Sequence, residues 1–448
     1  MTKMNRKEFF KLMATGVGGA ILTACRPGST KGGGSVPVPN GYEFYPLLGT
    51  GDELPSGTTA EKLSPVIMIN DHDEVIVHCH DSDGVHGVFE YTIDYSGKKP
   101  TIAQSRKILR EGDVLQDGVT ADHFHVGGTN KHGSFAIRVS SNANGIAKIY
   151  LERDKGGLVP VLTPHDALPG GAGRFAASFG DLDLDDTDSF LLASHYLPEG
   201  ESTPKEGIFH LAGGAVKIGG SLLLSSGDLV SGAGTNVNRI GLIDVSSEGD
   251  DFVAQITCGT PLGMTRKPGT GGKPGENTAV VYGSVRQPAR RGLRSASRSI
   301  RLSRATALAA LRGDVLYGPR IGGDRNIGHI VQTGENNLEL YLDDLRVLGI
   351  GDLTPMNNTV TGFSGPIIGS DGLLHFCVMT DHGAEICLFD RSSVHSVITA
   401  GAKIPAHGER IVGLDFGSVR NMVDSEGRLV FLATLESGKK SVVLGIPV

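Results

Sequence analysis

Gly112-Asp-Val-Leu115, followed fifteen residues later by Asn130-Lys-His-Gly-Ser-Phe-Ala-Ile137, holds the two elements of a unit that recurs along the chain. The first element is a short glycine–aspartate marker, and the second is a polar turn that leads into an apolar strand. The marker recurs in degenerate form at seven positions, which are Gly51, Gly112, His165, Gly227, Gly313, Gly351 and Gly401. Self-similarity at a spacing of tens of residues is typical of propellers and solenoids.

Successive markers lie 61, 53, 62, 86, 38 and 50 residues apart. The intervals of 86 and 38 residues sum to 124, which is twice the length of a 62-residue unit. We therefore interpret the seven markers as seven units. A complete unit is predicted to contain four strands, which in the first unit lie near 63–69, 74–80, 85–93 and 101–109. Unit four carries extra loops near 259–277 and 286–304, and the short unit five is predicted to have three strands.

The two ends of the repeat region are incomplete. The last unit offers three strands, near 419–423, 428–435 and 441–446, and an unassigned strand at Tyr42–Leu48 precedes the first marker. Pairing these ends would close a ring and remove two free sheet edges. We therefore predict an all-β fold, a seven-bladed β-propeller over residues 41–448 that is closed by pairing of the N- and C-terminal strands. An open β-solenoid or two smaller β-domains is the alternative.

Composition agrees with a strand-rich body. The 448 residues include 65 glycines and no tryptophan, and 39% of them are hydrophobic, which is enough for a large core. The formal charge is −7, and removal of a leader with a net charge of +3 would bring the mature chain near −10. Because this charge opposes nonspecific binding to nucleic acid, no nucleic-acid partner is expected.

The first 24 residues are typical of an export signal. Four basic residues precede a weakly apolar run of 13 residues, Leu12 to Ala24, which is too short to span a bilayer. Leu22-Thr-Ala-Cys25 resembles the bacterial lipobox, which implies cleavage before Cys25 and lipidation of that cysteine. Several acyl chains on one residue give durable attachment to a membrane. Residues 25–40 would then be a flexible tether rich in glycine, serine and proline.

Two further resemblances concern export and architecture. Asn5-Arg-Lys-Glu-Phe-Phe-Lys11 resembles a twin-arginine motif with lysine in place of the second arginine, and general secretion is the alternative route. The repeat resembles secreted bacterial tandem-repeat proteins with Asn-x-x-Gly-x-x-Ala-Phe-x-Ala in each unit. The matches are Asn130–Ile137, Asp424–Ala433 and the Gly207-Ile-Phe209 strand. These resemblances imply a lipid-anchored protein of the cell envelope, facing the periplasm or the exterior, and they imply no activity.

One acidic segment is a candidate calcium site. Asp181, Asp183 and Asp185 lie at alternate positions, as carboxylates do in a calcium loop, because Ca²⁺ takes six to eight oxygen ligands. The glycine and the glutamate of such a loop are replaced by Asp186 and Leu192. Solvated acids of an ordinary turn are the alternative.

Two histidine pairs are a second candidate metal site. His78-x-His80 and His123-x-His125 each place two imidazoles on one face of a strand. Neighbouring blades would bring the four rings together, and four histidines are suitable ligands for Zn²⁺ or Cu²⁺. Separate histidines with local partners are the alternative.

A basic segment is the candidate contact with a partner. Residues 286–304 contain seven arginines and no acid, and Arg290, Arg291, Arg294 and Arg298 lie at its centre. Such a segment could hold an anionic polymer, lipid headgroups or phosphate. A loop inserted between two strands of unit four is the alternative.

Cys377 and Cys387 flank the turn Thr380–Gly383, which would place them opposite each other across a hairpin. An oxidising compartment would permit a disulfide there. Two buried apolar cysteines are the alternative.

Sequence motifs of catalysis are missing. The chain contains no Gly-x-Ser-x-Gly, His-Glu-x-x-His or Gly-x-x-x-x-Gly-Lys motif. We therefore predict a membrane-anchored cell-envelope binding or scaffold lipoprotein for a protein or polysaccharide. A propeller hydrolase or lyase that acts on carbohydrate, assisted by calcium, is the alternative.

Overall fold

The computed structural model describes residues 38–142, 145–169, 171, 173–212, 219–230, 235–246, 249–258, 277–285, 301–302, 315–322, 326–332, 337–369, 372–404, 408–417, 419 and 421–448. These residues form seven antiparallel sheets arranged as the blades of a ring, so the predicted seven-bladed β-propeller is confirmed. None of the described residues belongs to a helix that is long and apolar enough to cross a membrane. The leader, Cys25 and most of the tether lie outside the described residues.

Each of the first three blades contains four strands, and a further strand, β1 (Tyr42–Gly49), precedes them. Blade one consists of β2 (Ala60–Ile69), β3 (Glu74–Asp81), β4 (His86–Asp94) and β5 (Thr101–Arg110). Blade two consists of β6 (His123–Thr129), β7 (Phe135–Ser141), β8 (Ile146–Glu152) and β9 (Val159–Leu162). Blade three consists of β10 (Gly173–Leu184), β11 (Phe190–Pro198), β12 (Lys205–Ala212) and β13 (Gly219–Ser225).

The other four blades follow the same plan with local additions. Blade four consists of β14 (Leu229–Val230), β15 (Thr235–Val245), β16 (Asp251–Cys258), β17 (Asn277–Ser284) and β18 (Arg301–Leu302). Blade five consists of β19 (Val315–Ile321), β20 (Ile327–Gln332), β21 (Leu338–Leu342) and β22 (Leu345–Gly349). Blade six consists of β23 (Val360–Phe363), β24 (Ile367–Ile368), β25 (Leu374–Thr380), β26 (Gly383–Phe389) and β27 (Val394–Thr399). Blade seven consists of β28 (Ile411–Asp415), β29 (Leu429–Leu435), β30 (Lys440–Pro447) and β1.

Two details of the predicted strand assignment are wrong. Unit five has four strands, because its strands β21 and β22 are only five residues long and are joined by a tight turn. The first strand of the last unit is Ile411–Asp415 and not the segment near 419–423. Asn421 and Val423 instead line one end of the central channel. Val423 makes an isolated bridge to Leu429.

Pairing of the chain ends closes the ring, as predicted. β1 and β30 are antiparallel, with Tyr42 opposite Pro447 and Gly49 opposite Ser441. The ring of Phe44 packs edge-to-face on Phe431 of β29, with centroids 5.9 Å apart. The outer edge of blade seven is therefore supplied by the N-terminal part of the propeller.

Each marker within the described residues, which leaves out the one at Gly313, is the turn that takes the chain from the last strand of one blade to the first strand of the next. The φ angles of its glycines lie in the left-handed region, with values of 98° at Gly51, 89° at Gly112, 92° at Gly227, 90° at Gly351 and 92° at Gly401. Glycine adopts this region without the steric cost of a Cβ. The following aspartate caps the turn, since Asp113 Oδ2 accepts a hydrogen bond from the backbone N of Arg110 at 2.8 Å.

The second repeated element is the hairpin turn between the first and second strands. Asn130 Oδ1 accepts hydrogen bonds from the backbone N atoms of His132 and Ser134, both at 3.0 Å. Asp424 Oδ1 accepts the equivalent bond from Arg428 at 2.9 Å. Asparagine and aspartate favour such turns because their side chains replace a backbone acceptor.

The core lies between the blades rather than inside a single layer. Middle strands such as β29, which has the sequence LVFLATL, are buried along nearly their whole length because both faces of each sheet pack against neighbouring blades. Stability is therefore built from successive blade–blade interfaces.

The two cysteines of blade six do not face each other. The register of β25 and β26 pairs Phe376 with Cys387 and Cys377 with Ile386. Because neighbouring positions on a strand point to opposite faces, the two sulfur atoms lie in separate hydrophobic clusters. Both cysteines are buried and free. The predicted opposition is wrong, and the alternative of two apolar core residues holds.

Candidate ligand-binding channel

The first strands of the blades surround a central channel. One end of it, which we call the mouth, lies where first strands turn into second strands, and six blades contribute to its lining. Asn421 lies across the mouth, because its side-chain amide donates to the carbonyl of Thr129 and its own carbonyl accepts from the backbone N of Ile69 at 2.6 Å. The remaining free volume is about 40 Å³, which is room for a few water molecules.

The charged groups around the mouth bind one another. Lys131 Nζ lies 3.2 Å from Asp186 Oδ2, which joins blades two and three. Arg428 lies 2.7 Å from Asp73, which joins blades seven and one, and it also pairs with Asp424. These ion pairs join neighbouring blades around the mouth.

A larger cavity, which we call the channel pocket, lies between blades two, three and four. Its lining consists of His125 on β6, Arg138 on β7, Gly180 and Asp181 on β10, Gly241 and Leu242 on β15, and Gln255 on β16. Its volume is about 400 Å³, and it is open to solvent over much of its surface.

Arg138 is the fixed cation of the channel pocket. It lies directly opposite His125 in the β6–β7 pairing, and its Nη1 donates to the carbonyls of Phe179 and Gly180, the latter at 2.9 Å. Burial lowers the pKa of the Arg138 guanidinium. Two bonds from one nitrogen hold the guanidinium at the wall between blades two and three.

The pKa values of His125 and Asp181 are shifted in opposite directions. Although the imidazole of His125 is exposed to the channel, desolvation by the surrounding protein and the charge of Arg138 lower its pKa. Burial raises the pKa of Asp181, and a hydrogen bond from the backbone N of Ile243 at 3.1 Å partly offsets this. Neutral imidazole, carboxylate, guanidinium and the Gln255 amide together supply donors and acceptors of four kinds.

The other predicted calcium ligands have structural partners. Asp183 Oδ2 accepts a hydrogen bond from the backbone N of Val245 at 2.8 Å, which links blade three to blade four. Asp185 Oδ1 accepts bonds from the backbone N atoms of Thr187 and Ser189 and so closes the hairpin turn. The first strands of neighbouring blades are not paired with each other. The carboxylates of Asp181 and Asp183 therefore accept hydrogen bonds from backbone N–H groups of the first strand of blade four. Calcium binding at Asp181, Asp183 and Asp185 stays a prediction.

The four predicted histidines lie on the strands expected but do not meet at one point. His78 and His80 are on β3, where they contact His86 of β4. His123 lies 3.4 Å from Glu111, and His125 lines the channel pocket. Within the described parts of the chain, no three His, Cys, Asp or Glu side chains are arranged to hold a metal ion. Arg290, Arg291, Arg294 and Arg298 lie outside the described residues.

Sequence reasoning missed Arg138, Gln255 and His86. Arg138 interrupts the apolar second strand Phe-Ala-Ile-Arg-Val, and a polar residue at a buried position was the available signal. The position of His86 opposite His80 could have been predicted from the sequence, because the turn after β3 sets the register of β3 and β4.

Comparison with known proteins identifies no family for this chain. No protein-family model matches the chain, and no curated protein does. Among solved structures, the β-propeller domain of the Trilobed protease from Pyrococcus furiosus is similar at 9% identity, over 87% of this chain and 94% of that one, with a TM-score of 0.43. The β-propeller domain of Swd1 from Myceliophteria thermophila is similar at 12% identity over 86% and 98% of the two chains, with a TM-score of 0.40. An α-L-arabinofuranosidase of Fusarium graminearum with arabinobiose is similar at 11% identity over 91% and 98%, with a TM-score of 0.33. At these identities the likeness is one of fold.

Proposed function

We propose that the protein is a binding protein of the cell envelope that holds one unit of a carbohydrate polymer in the channel pocket. The observation that carries the proposal is the convergence of His125, Arg138, Asp181 and Gln255 on one cavity of about 400 Å³. Sugar hydroxyls both donate and accept hydrogen bonds, so a set of mixed donors and acceptors suits them. Leu242 adds an apolar surface against which a ring can pack.

The electrostatics favour a sugar that carries a carboxylate. Arg138 is a permanent cation at the wall of the pocket, and guanidinium binds carboxylate with two parallel hydrogen bonds. The body around the pocket is acidic overall, so the preference for an anionic unit would come from this local cation and not from net charge. A uronate-containing oligosaccharide is therefore the probe that we would use first.

Binding of an oligogalacturonate to the purified protein, measured by isothermal titration calorimetry, tests the proposal. Arg138→Met and Asp181→Asn are expected to weaken binding at least tenfold, because each removes a buried polar partner of the ligand. Glu61→Gln and Lys62→Met, which change exposed residues of the first strand of blade one, are the matched controls and should bind like the wild type. Undiminished binding by both pocket variants, or none by the wild type to acidic and neutral oligosaccharides, would contradict the proposal.

The raised pKa of Asp181 beside the lowered pKa of His125 favours a second function, hydrolysis or elimination of the same polymer. Groups whose pKa values are shifted by burial and by neighbouring charges are frequent at catalytic sites. Shortening of the oligosaccharide during the titration, and its loss in Asp181→Asn, would identify an enzyme. An intact oligosaccharide after prolonged incubation would leave binding alone.

We further propose that Cys25 carries a lipid anchor. The lipobox-like sequence and the tether support this proposal. The tether would end at Tyr42, whose hydroxyl donates to the carbonyl of Gly427 at 3.3 Å, near the mouth. The channel pocket would then be held close to a membrane. Membrane fractionation of wild-type and Cys25→Ser protein is expected to move the variant to the aqueous fraction, and the same distribution for both would remove the anchor.

A further inference from the structure

Three histidines meet on the β3–β4 hairpin, on the face of blade one that packs against blade two. His78 and His80 share one face of β3, and His86 of β4 lies directly opposite His80. The rings of His80 and His86 have centroids 3.6 Å apart. The Nε2 atom of His78 lies 3.2 Å from the Nδ1 atom of His86. We call these three residues the histidine cluster.

Blade two covers one side of the histidine cluster. The ring of Phe124 lies edge-on to His78 and to His86, with centroids 5.6 Å and 6.5 Å away. Glu111 lies beside the cluster, because its Oε2 accepts a hydrogen bond from the backbone N of His86 at 3.4 Å. The cluster is thus an imidazole-rich site with a carboxylate beside it and an aromatic wall.

We propose that His78 and His86 form a two-nitrogen site for Zn²⁺ or a similar late transition-metal ion, with His80 as the third ligand. Two imidazole nitrogens bound to one tetrahedral zinc at about 2.0–2.1 Å are about 3.3 Å apart, which matches the separation of the two ring nitrogens. Imidazole nitrogen is a good ligand for zinc, copper and nickel, whereas Ca²⁺ and Mg²⁺ prefer oxygen.

His80 needs a change of rotamer to join the site. The ring of His80 packs against the ring of His86 and does not point between His78 Nε2 and His86 Nδ1. Accordingly, no three side chains of the described residues are already arranged to hold a metal ion. The side chain is partly exposed, so a rotation about its side-chain bonds meets little resistance. Metal binding would then fasten the β3–β4 hairpin at the edge of blade one nearest blade two.

Titration of the metal-free full-length protein with ZnCl₂, followed by calorimetry and by thermal unfolding, tests this site. We expect one zinc ion per chain and a raised melting temperature that EDTA reverses. His86→Phe and His78→Phe keep a ring against Phe124 and should weaken zinc binding at least tenfold, and His80→Phe should weaken it less.

His395→Phe is the matched control, because His395 is a surface histidine on blade six that pairs with Asp390. It should leave zinc binding unchanged, and CaCl₂ should not replace zinc. The proposal is overturned if the wild type binds no zinc, if calcium has the same effect, or if zinc binding survives undiminished in both His78→Phe and His86→Phe. In those cases the short distance between His78 Nε2 and His86 Nδ1 is a plain hydrogen bond between the two rings.

Discussion

Removal of the closing strand, residues 42–49, is expected to abolish the cooperative unfolding of the propeller. The deletion would expose the edge of β30 and leave the interface between blades seven and one without Leu48, which is 3% exposed in the intact protein. Each buried large apolar side chain contributes about 1.5–3 kcal/mol, and each net backbone hydrogen bond about 1 kcal/mol. The loss from an eight-residue strand is then above roughly 5 kcal/mol, which is comparable with the whole stability of many domains.

Thermal unfolding of two truncated proteins, one starting at residue 41 and one at residue 50, provides the comparison. The longer protein keeps β1 and should unfold in one cooperative transition at the wild-type temperature. The shorter protein should melt at least 10 °C lower or show no transition. Equal melting of the two would mean that the ring does not depend on its closure.

Replacement of Arg106 by methionine is expected to cost about 3–5 kcal/mol in the free energy of unfolding. Arg106 of blade one binds two carboxylates whose side chains are 3% exposed, Glu90 of its own blade and Glu152 of blade two. Its Nη1 and Nη2 donate to Glu152 at 2.8 Å, and its Nε donates to Glu90 at 2.9 Å. Without the guanidinium, two buried negative charges would face each other across the blade interface.

The pH dependence of the stability lost in Arg106→Met tests whether the loss comes from the ion pair with Glu90. Burial raises the pKa of Glu90, but hydrogen bonds from Arg106 and Lys155 outweigh this and hold it below the usual value. A depressed folded-state pKa gives stability that is present above the unfolded value of about 4.3 and is lost as the pH falls through the folded value. The difference between wild type and Arg106→Met should therefore shrink below about pH 4, because Glu90 becomes neutral as the pH falls through its folded-state pKa.

Lys107→Met is the control for Arg106→Met. Lys107 is the next residue on the same strand and forms a surface ion pair with Asp113 at 2.8 Å, with 38% of its side chain exposed. Exposed pairs contribute about 0–1 kcal/mol, so this variant should unfold almost like the wild type in urea. Similar losses in both variants would show that the Arg106 network contributes no more than a surface pair.

The sequence predicted the repeat well because the signals are local. Among the described residues, a left-handed glycine followed by a capping aspartate marks the junctions at Gly51, Gly112, Gly227 and Gly351. Asx turns mark the first hairpins at Asn70, Asn130, Asp185 and Asp424, so both elements are encoded by adjacent residues. The strands of the first unit agree with β2–β5 to within a few residues. The last unit was misassigned at its first strand, because Val419–Val423 has strand-like composition, whereas Asn421 and Val423 line the channel mouth.

The candidate sites could be predicted only in part, since their chemistry depends on contacts between blades. The alternate spacing of Asp181 and Asp183 suggested a metal, yet both carboxylates accept amides of the first strand of blade four. The positions of Cys377 and Cys387 around the turn suggested a disulfide, yet Cys377 lies three residues before Thr380 and Cys387 lies four residues after Gly383. The regular pairing of Thr380 with Gly383 therefore places Cys387 opposite Phe376, and the two sulfurs point to opposite faces. A difference of one residue is enough to reverse the face on which a side chain lies.

By itself, the sequence determined the number of blades, the turns between them and the pairing of the chain ends, because these follow from glycine stereochemistry, aspartate capping and alternation along strands. Only the tertiary structure decided that His125, Arg138 and Asp181 share one cavity and that His86 joins His78 and His80. The physical reason is that first strands of neighbouring blades are brought side by side by packing of whole sheets, and no local pattern in the chain records which side chains then meet.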